Sequence, residues 1–136
     1  MKNCTDIEQS KRLAEILPIK SADMWWSRCT ITDFGDGVLK VSYAVEPCNI
    51  SQFRNTKEDV PAWSLAALLS ILPNNEHITT SVSRGSWQIE PINYLPNTWW
   101  CEYEDNESLT EFNVSADNPV DACYKMILRL HKHKML

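Results

Sequence analysis

The sequence predicts an α+β fold: a single domain, residues 1–136, in which an antiparallel sheet of four to six strands carries three helices packed mainly on one face. Three observations predict it. Three segments carry helix start and stop signals around apolar residues at helical spacing. Segments that alternate with period two arrive in pairs around turn-like sequence, which makes hairpins and therefore antiparallel pairing. A chain of 136 residues is long enough to bury about two-thirds of its unfolded surface in one core. The element order reads α-β-β-α-β-β-(β-β)-α.

In the first helix, Thr5-Asp6-Ile7-Glu8 fits a capping box, with Thr5 as N-cap and Glu8 three residues on. Leu13, Ile16 and Leu17 share a face, and Pro18 ends the helix. Met24 to Asp33 then alternates: Trp25, Cys29 and Ile31 point one way, and Trp26, Arg28, Thr30 and Thr32 the other. Phe34-Gly35-Asp36-Gly37 reads as a turn, and Val38 to Val45 as the return strand. Asp33-Phe34-Gly35 spells the metal-binding triplet of protein kinases, but the Gly-rich loop and the His-Arg-Asp triplet are missing and the chain is too short. Glu46 to Asp59 is polar and aperiodic, a loop with at most a short strand near Ile50 to Phe53.

Pro61 to Leu72 follows. Only Ser64 and Ser70 interrupt its apolar residues, and no charge falls between Asp59 and Glu76. Such a segment predicts a helix that needs cover on every side and is the most buried element of the chain. Pro61 at a first-turn position and Pro73 just beyond Leu72 mark its ends. Leu13 to Pro18 and Leu68 to Pro73 match at leucine, isoleucine, leucine and proline; an α-β-β duplication and two helices that stop alike are both consistent with that match.

Ile78, Thr80 and Val82 alternate, as do Trp87 and Ile89, with Ser83-Arg84-Gly85-Ser86 as a turn between them and irregular chain from Asn93 to Pro96. Asn97 to Tyr103 restarts a strand, with Trp99, Cys101 and Tyr103 on one face and Trp100, Glu102 and Glu104 on the other. Asp105 to Ser108 is a turn, and Leu109 to Val114 returns with Phe112 and Val114 inward. The last helix begins at Asn118 (N-cap) and Pro119, with Asp121 in its first turn. Val120, Cys123, Ile127 and Leu130 recur at helical spacing, and Lys125, Arg129, Lys132 and Lys134 gather toward the C-terminal end, as the helix dipole favours.

Composition narrows the function classes. A net charge of −5 argues against general nucleic-acid affinity, which needs a positive surface. No stretch approaches the ~20 apolar residues of a membrane span, and the N-terminus has no signal-like run, so the expected place is the cytoplasm, off the membrane. The four Asn-x-Ser/Thr triplets are then without meaning for glycans. The five cysteines, Cys4, Cys29, Cys48, Cys101 and Cys123, form no Cys-x-x-Cys pair, which predicts reduced thiols rather than a zinc ribbon or a disulfide scaffold.

Two segments, Asp59 to Leu69 and Asp117 to His131, resemble small uncharacterised proteins encoded by prophages and mobile elements of gut bacteria of the Bacteroides kind, and Cys4 to Lys11 is similar to them more weakly. The resemblance covers about a quarter of the chain. It implies an accessory, cytoplasmic, mobile-element protein and carries no catalytic residues.

No residue set carries recognisable chemistry. The histidines are His77, His131 and His133; a Cys–His pair would need His77 beside Cys101 or Cys48. Gly-x-Ser-x-Gly, P-loop and dinucleotide fingerprints are missing. His131 and His133 on a helix point ~200° apart, and the acidic run from Glu102 to Asp117 lacks EF-hand spacing. No catalytic residue, metal or cofactor is therefore expected. That acidic run has six acids and no base, whereas Lys125 to Lys134 has four bases and no acid, so the two segments lie side by side or one meets a partner.

The compositional oddity is six tryptophans, two pairs of them adjacent. In a strand, neighbouring residues face opposite ways, so Trp26 and Trp100 leave the helix-covered side. They are the candidate binding residues of an interaction protein that meets a protein partner or a second copy of itself. A small-ligand binder or minor enzyme is the alternative, and an aromatic-lined pocket would favour it.

Overall fold

The computed structural model describes residues 2–32, 39–47, 59–85 and 98–136, with the backbone alone for 28–32 and 39–47. The chain forms two compact units: Cys4–Ser64, and Leu65–Leu136 with Met1–Asn3. Each has helix and antiparallel sheet, so α+β holds, but the single sheet of four to six strands does not. Two three-stranded sheets take its place among the described residues, ordered β2-β1-β3 and β4-β5-β6. The α-helices of the described residues are divided accordingly, one in the first unit and two in the second.

In the first unit, α1 (Ile7–Ala14) is capped one residue later than its sequence predicts: the Asp6 side chain accepts from the N–H of Gln9, and Gln9 reaches back to the Asp6 N–H. Thr5 is withdrawn from capping because it is fully buried, with Oγ1 2.7 Å from Ser10 Oγ and accepting the N–H of Trp63 at 3.2 Å. A 3₁₀ turn at Ile19–Ser21 follows Pro18. β1 (Met24–Thr32) pairs with β2 (Leu39–Pro47) as the hairpin pattern predicts, and on its other side with β3 (Asp59–Ala62). The turn at 34–37, the loop at 48–58 and any strand at 50–53 lie outside the described residues.

β3 overturns the beginning of the expected helix Pro61–Leu72. Pro61 stands opposite Trp25 on what is, among the described residues, an edge strand, where a missing N–H costs no ladder bond. The next two residues are also taken before a helix can claim them. Trp63 accepts from the Thr5 N–H at 3.0 Å, and Ser64 bridges to Cys4 while giving its N–H and hydroxyl to the Asp23 carboxylate. Trp63 is fully buried, its indole N–H donated to Ser21 Oγ at 3.0 Å, and forms the centre of this unit's core with Leu13, Leu17, Val60 and Ala62.

In the second unit, α2 (Leu65–Ile71) is therefore only seven residues long. It is not buried all round: Ala67 and Leu68 face inward, and Ala66, Leu69 and Ser70 are exposed. The most buried helix is α3 (Pro119–Lys132), where Pro119, Val120, Ala122, Cys123, Met126, Ile127 and Leu130 are all buried. Its start is as expected, with the Asp121 N–H donated to Asn118 Oδ1 at 2.9 Å; Lys2 pairs with Asp121 at 2.7 Å. α3 covers one face of the sheet β4 (Ile78–Arg84), β5 (Trp99–Asp105) and β6 (Thr110–Ala116). Gly85 ends β4 with φ 100°, a conformation that glycine takes without steric cost. The expected strand near Trp87–Ile89 and the chain from Asn93 to Pro96 lie outside the described residues. In the described pairings the strand after α1 is central and the strand after α2 lies at an edge, so the two sheets are wired differently.

Candidate functional site

Period-two alternation fixes the faces of β5. Cys101 and Tyr103 are buried on the α3 side, and Trp100, Glu102 and Glu104 project from the other. The register completes that outer face. Ser83 and Ser115 flank Trp100, Ser81 and Asn113 flank Glu102, and Thr79 and Glu111 flank Glu104. The result is a polar sheet surface with an aromatic ring at one end and carboxylates toward the other. Glu104 and Glu111 stand directly opposite each other, an arrangement that like charges disfavour. Burial, then the neighbouring charges of Glu104 and Glu111, hold Glu102 above the ordinary carboxylate range.

Trp100 is half-buried, and its indole N–H is shielded from solvent without an acceptor among the described residues. Trp26 belongs to the first unit. It is also half-buried, but its indole N–H is donated to the Thr5 carbonyl at 2.9 Å. The two candidate residues thus sit on different sheets. Trp25 is buried, as its face of β1 predicts.

On the other side of the second sheet, the basic residues of α3 find partners in β6. Lys125 Nζ donates to the Ser115 carbonyl at 2.8 Å and Arg129 Nη1 to the Asn113 carbonyl at 3.3 Å. The Arg129 guanidinium lies 4.7 Å from the Phe112 ring centre, and His133 stacks on the same ring at 4.9 Å. The acidic and basic segments therefore do lie side by side, though Lys125 and Arg129 meet backbone carbonyls and an aromatic face rather than carboxylates. Such contacts suit a guanidinium, which is weakly hydrated and planar.

The β5–β6 connection holds a feature that sequence reasoning missed. Asp105 Oδ1 accepts the N–H groups of Glu107 and Ser108, so the turn itself was legible as Asp-Asn-Glu-Ser. The Ser108 side chain and those N–H groups hold Asp105 below the ordinary carboxylate range. The next residue, Leu109, has φ 57° and is 88% exposed. A concavity of about 260 Å³ beside it is lined by Glu104, Asp105, Asn106, Leu109, Thr110 and Glu111, without an aromatic ring.

The thiols offer little chemistry. Cys4, Cys101 and Cys123 are free and buried. Contact with Cys123, followed by burial, pushes the Cys101 thiol far up, away from the reactive thiolate. Cys48 and the Cys29 side chain lie outside the description. Among the described residues no group of three or more His, Cys, Asp or Glu side chains is arranged to hold a metal ion, and no helix is long and apolar enough to cross a membrane. Compared with known proteins, the chain matches no family model, no curated relative and no solved structure.

Proposed function

We propose that this chain is a non-enzymatic accessory protein of a prophage or mobile element, acting in the cytoplasm by binding another protein chain. The observation that carries the reading is Trp100. It stands on the sheet face turned away from α3, half-covered, with polar neighbours on both adjacent strands and an indole N–H lacking an acceptor among the described residues. A partner that covered the exposed part of the ring would gain about 1–2 kcal/mol from the apolar area alone. Trp26, on the first unit's own sheet, is a separate candidate contact through the ring surface that its bond to Thr5 leaves free. The resemblance of Asp59–Leu69 and Asp117–His131 to mobile-element proteins supports the accessory role.

The test is Trp100→Ser, alone and with Trp26→Ser, followed by light scattering and a thermal melt. Association lost from Trp100→Ser with the melt near wild type supports the reading. Collapsed stability with unchanged molar mass would make Trp100 ordinary core and remove the reading's support.

A further inference from the structure

We infer that the chain pairs with a second copy of itself, about a two-fold axis, through the end of the second unit where the β5–β6 hairpin meets the last turn of α3. The inference rests on the reading of the chain as an association protein, but centres on the hairpin tip, at the other end of the sheet face that carries Trp100. Its geometry follows from three contacts. Lys125 lies at Ser115, Arg129 at Asn113 and His133 at Phe112, so α3 runs antiparallel to β6. The helix end and the hairpin tip therefore emerge together. On the hairpin half, Glu104, Glu107 and Glu111 are exposed; on the helix half, His131, Lys132 and Lys134 are exposed.

An acidic half beside a basic half is self-complementary. A two-fold rotation lays each acidic half on the other copy's basic half, so every contact is made twice. Charge pairing of this kind selects partner and orientation. Among the described residues Glu107, Lys132 and Lys134 enter no ion pair within the chain, which leaves them available.

Leu109 supplies the apolar centre. A leucine with φ 57° occupies the left-handed region, where its Cβ crowds the backbone and glycine or asparagine is the less costly choice. It is also 88% exposed, while Leu136 at the helix side is 37% exposed. Neither the conformation nor the exposure helps the isolated chain. The exposure is accounted for if the side chain is covered by another copy.

Light scattering of the full chain across a concentration series, at low and high salt, is the test. The molar mass should rise toward twice 15.7 kDa at low salt and fall back when salt screens the charges. Glu107→Lys with Glu111→Lys, and separately Lys132→Glu with Lys134→Glu, should each weaken association about tenfold or more. Mixing the two reversed proteins should restore a dimer of one of each, since the basic hairpin of one then meets the acidic helix end of the other and the acidic hairpin meets the basic helix end, so both contacts pair opposite charges. Leu109→Asn, which suits the backbone, should weaken association without lowering the melt. A chain that stays at 15.7 kDa throughout overturns the inference, as do reversals that leave the mass unchanged. If Trp100→Ser abolishes association while both reversals are inert, this interface is wrong and the Trp100 reading stands. Sensitivity to the reversals alone would support this interface and count against Trp100.

Discussion

Leu68 and Leu69 are adjacent on α2, yet the structure gives them opposite fates, and that difference can be measured. Leu68 is fully buried and Leu69 is 42% exposed. Truncating Leu68 to Ala removes roughly three buried carbon groups at ~0.8 kcal/mol each and leaves a cavity, for a total of about 2–5 kcal/mol. At Leu69 a little over half of the transfer term applies, no closed cavity forms, and alanine's better helix propensity returns a few tenths, leaving about 1 kcal/mol. The two variants should thus differ by about 2 kcal/mol, or about 6–10 °C in Tm for a protein of this size. Urea unfolding followed by circular dichroism, with thermal melts alongside, measures both. Equal losses within about 0.5 kcal/mol would mean that α2 is covered on both sides, as its apolar sequence suggests, and would refute the amphipathic placement.

Other expectations follow from single sites. Thr5→Val should cost about 1–3 kcal/mol, because the buried Trp63 N–H loses its Oγ1 acceptor; a urea midpoint unchanged from wild type would show that the bond is dispensable. Glu102 is held above its ordinary range, so the folded chain binds that proton more tightly than the unfolded chain does. Its ionised form therefore lowers stability above the folded pKa, and the penalty is relieved as pH falls through the carboxylate range. Glu102→Gln should accordingly melt higher than wild type near neutral pH, with the gap closing by about pH 4; a gap independent of pH would count against this account. Cys4, Cys101 and Cys123 should resist a thiol reagent in the native protein and react on unfolding, read by mass spectrometry of the labelled peptides. Rapid native labelling of Cys101 would contradict its burial against Cys123.

What the sequence disclosed divides by the range of the interactions involved. The start of α3 was legible because Asn118 and Asp121 bond with each other within one turn and Pro119 between them suits the first helical position. The faces of β5 were legible because alternation alone sorts Cys101 and Tyr103 from Trp100, Glu102 and Glu104. The start of α2 was not. Trp63 and Ser64 are held by Thr5, Cys4 and Asp23, partners 41 or more residues away, and no local signal announces them. The division into two sheets was hidden as well, since hairpins look alike in sequence whether they join one sheet or two. At the candidate surface, the two halves of the charge asymmetry were visible, and so was Trp100. That Leu109 rather than Asn106 takes the left-handed position was not, because turn composition does not say which residue bears the positive φ.

Among the described residues β6 is an edge strand, and its treatment bears on the proposed pairing. An edge strand offers unpaired backbone groups to any other strand. Here the Asn113 and Ser115 carbonyls receive Arg129 and Lys125 from α3, and Arg129 is steadied in turn by the Phe112 ring. Two cations along an edge oppose strand addition by occupying acceptors and by placing charge where an incoming backbone would lie. Association through β6 pairing is thereby disfavoured, while the hairpin tip just beyond carries an exposed leucine among carboxylates. Charge and shape at that end, unlike a bare strand edge, discriminate among partners. The proposed pairing through the hairpin tip is therefore the route that the two cations along β6 leave open.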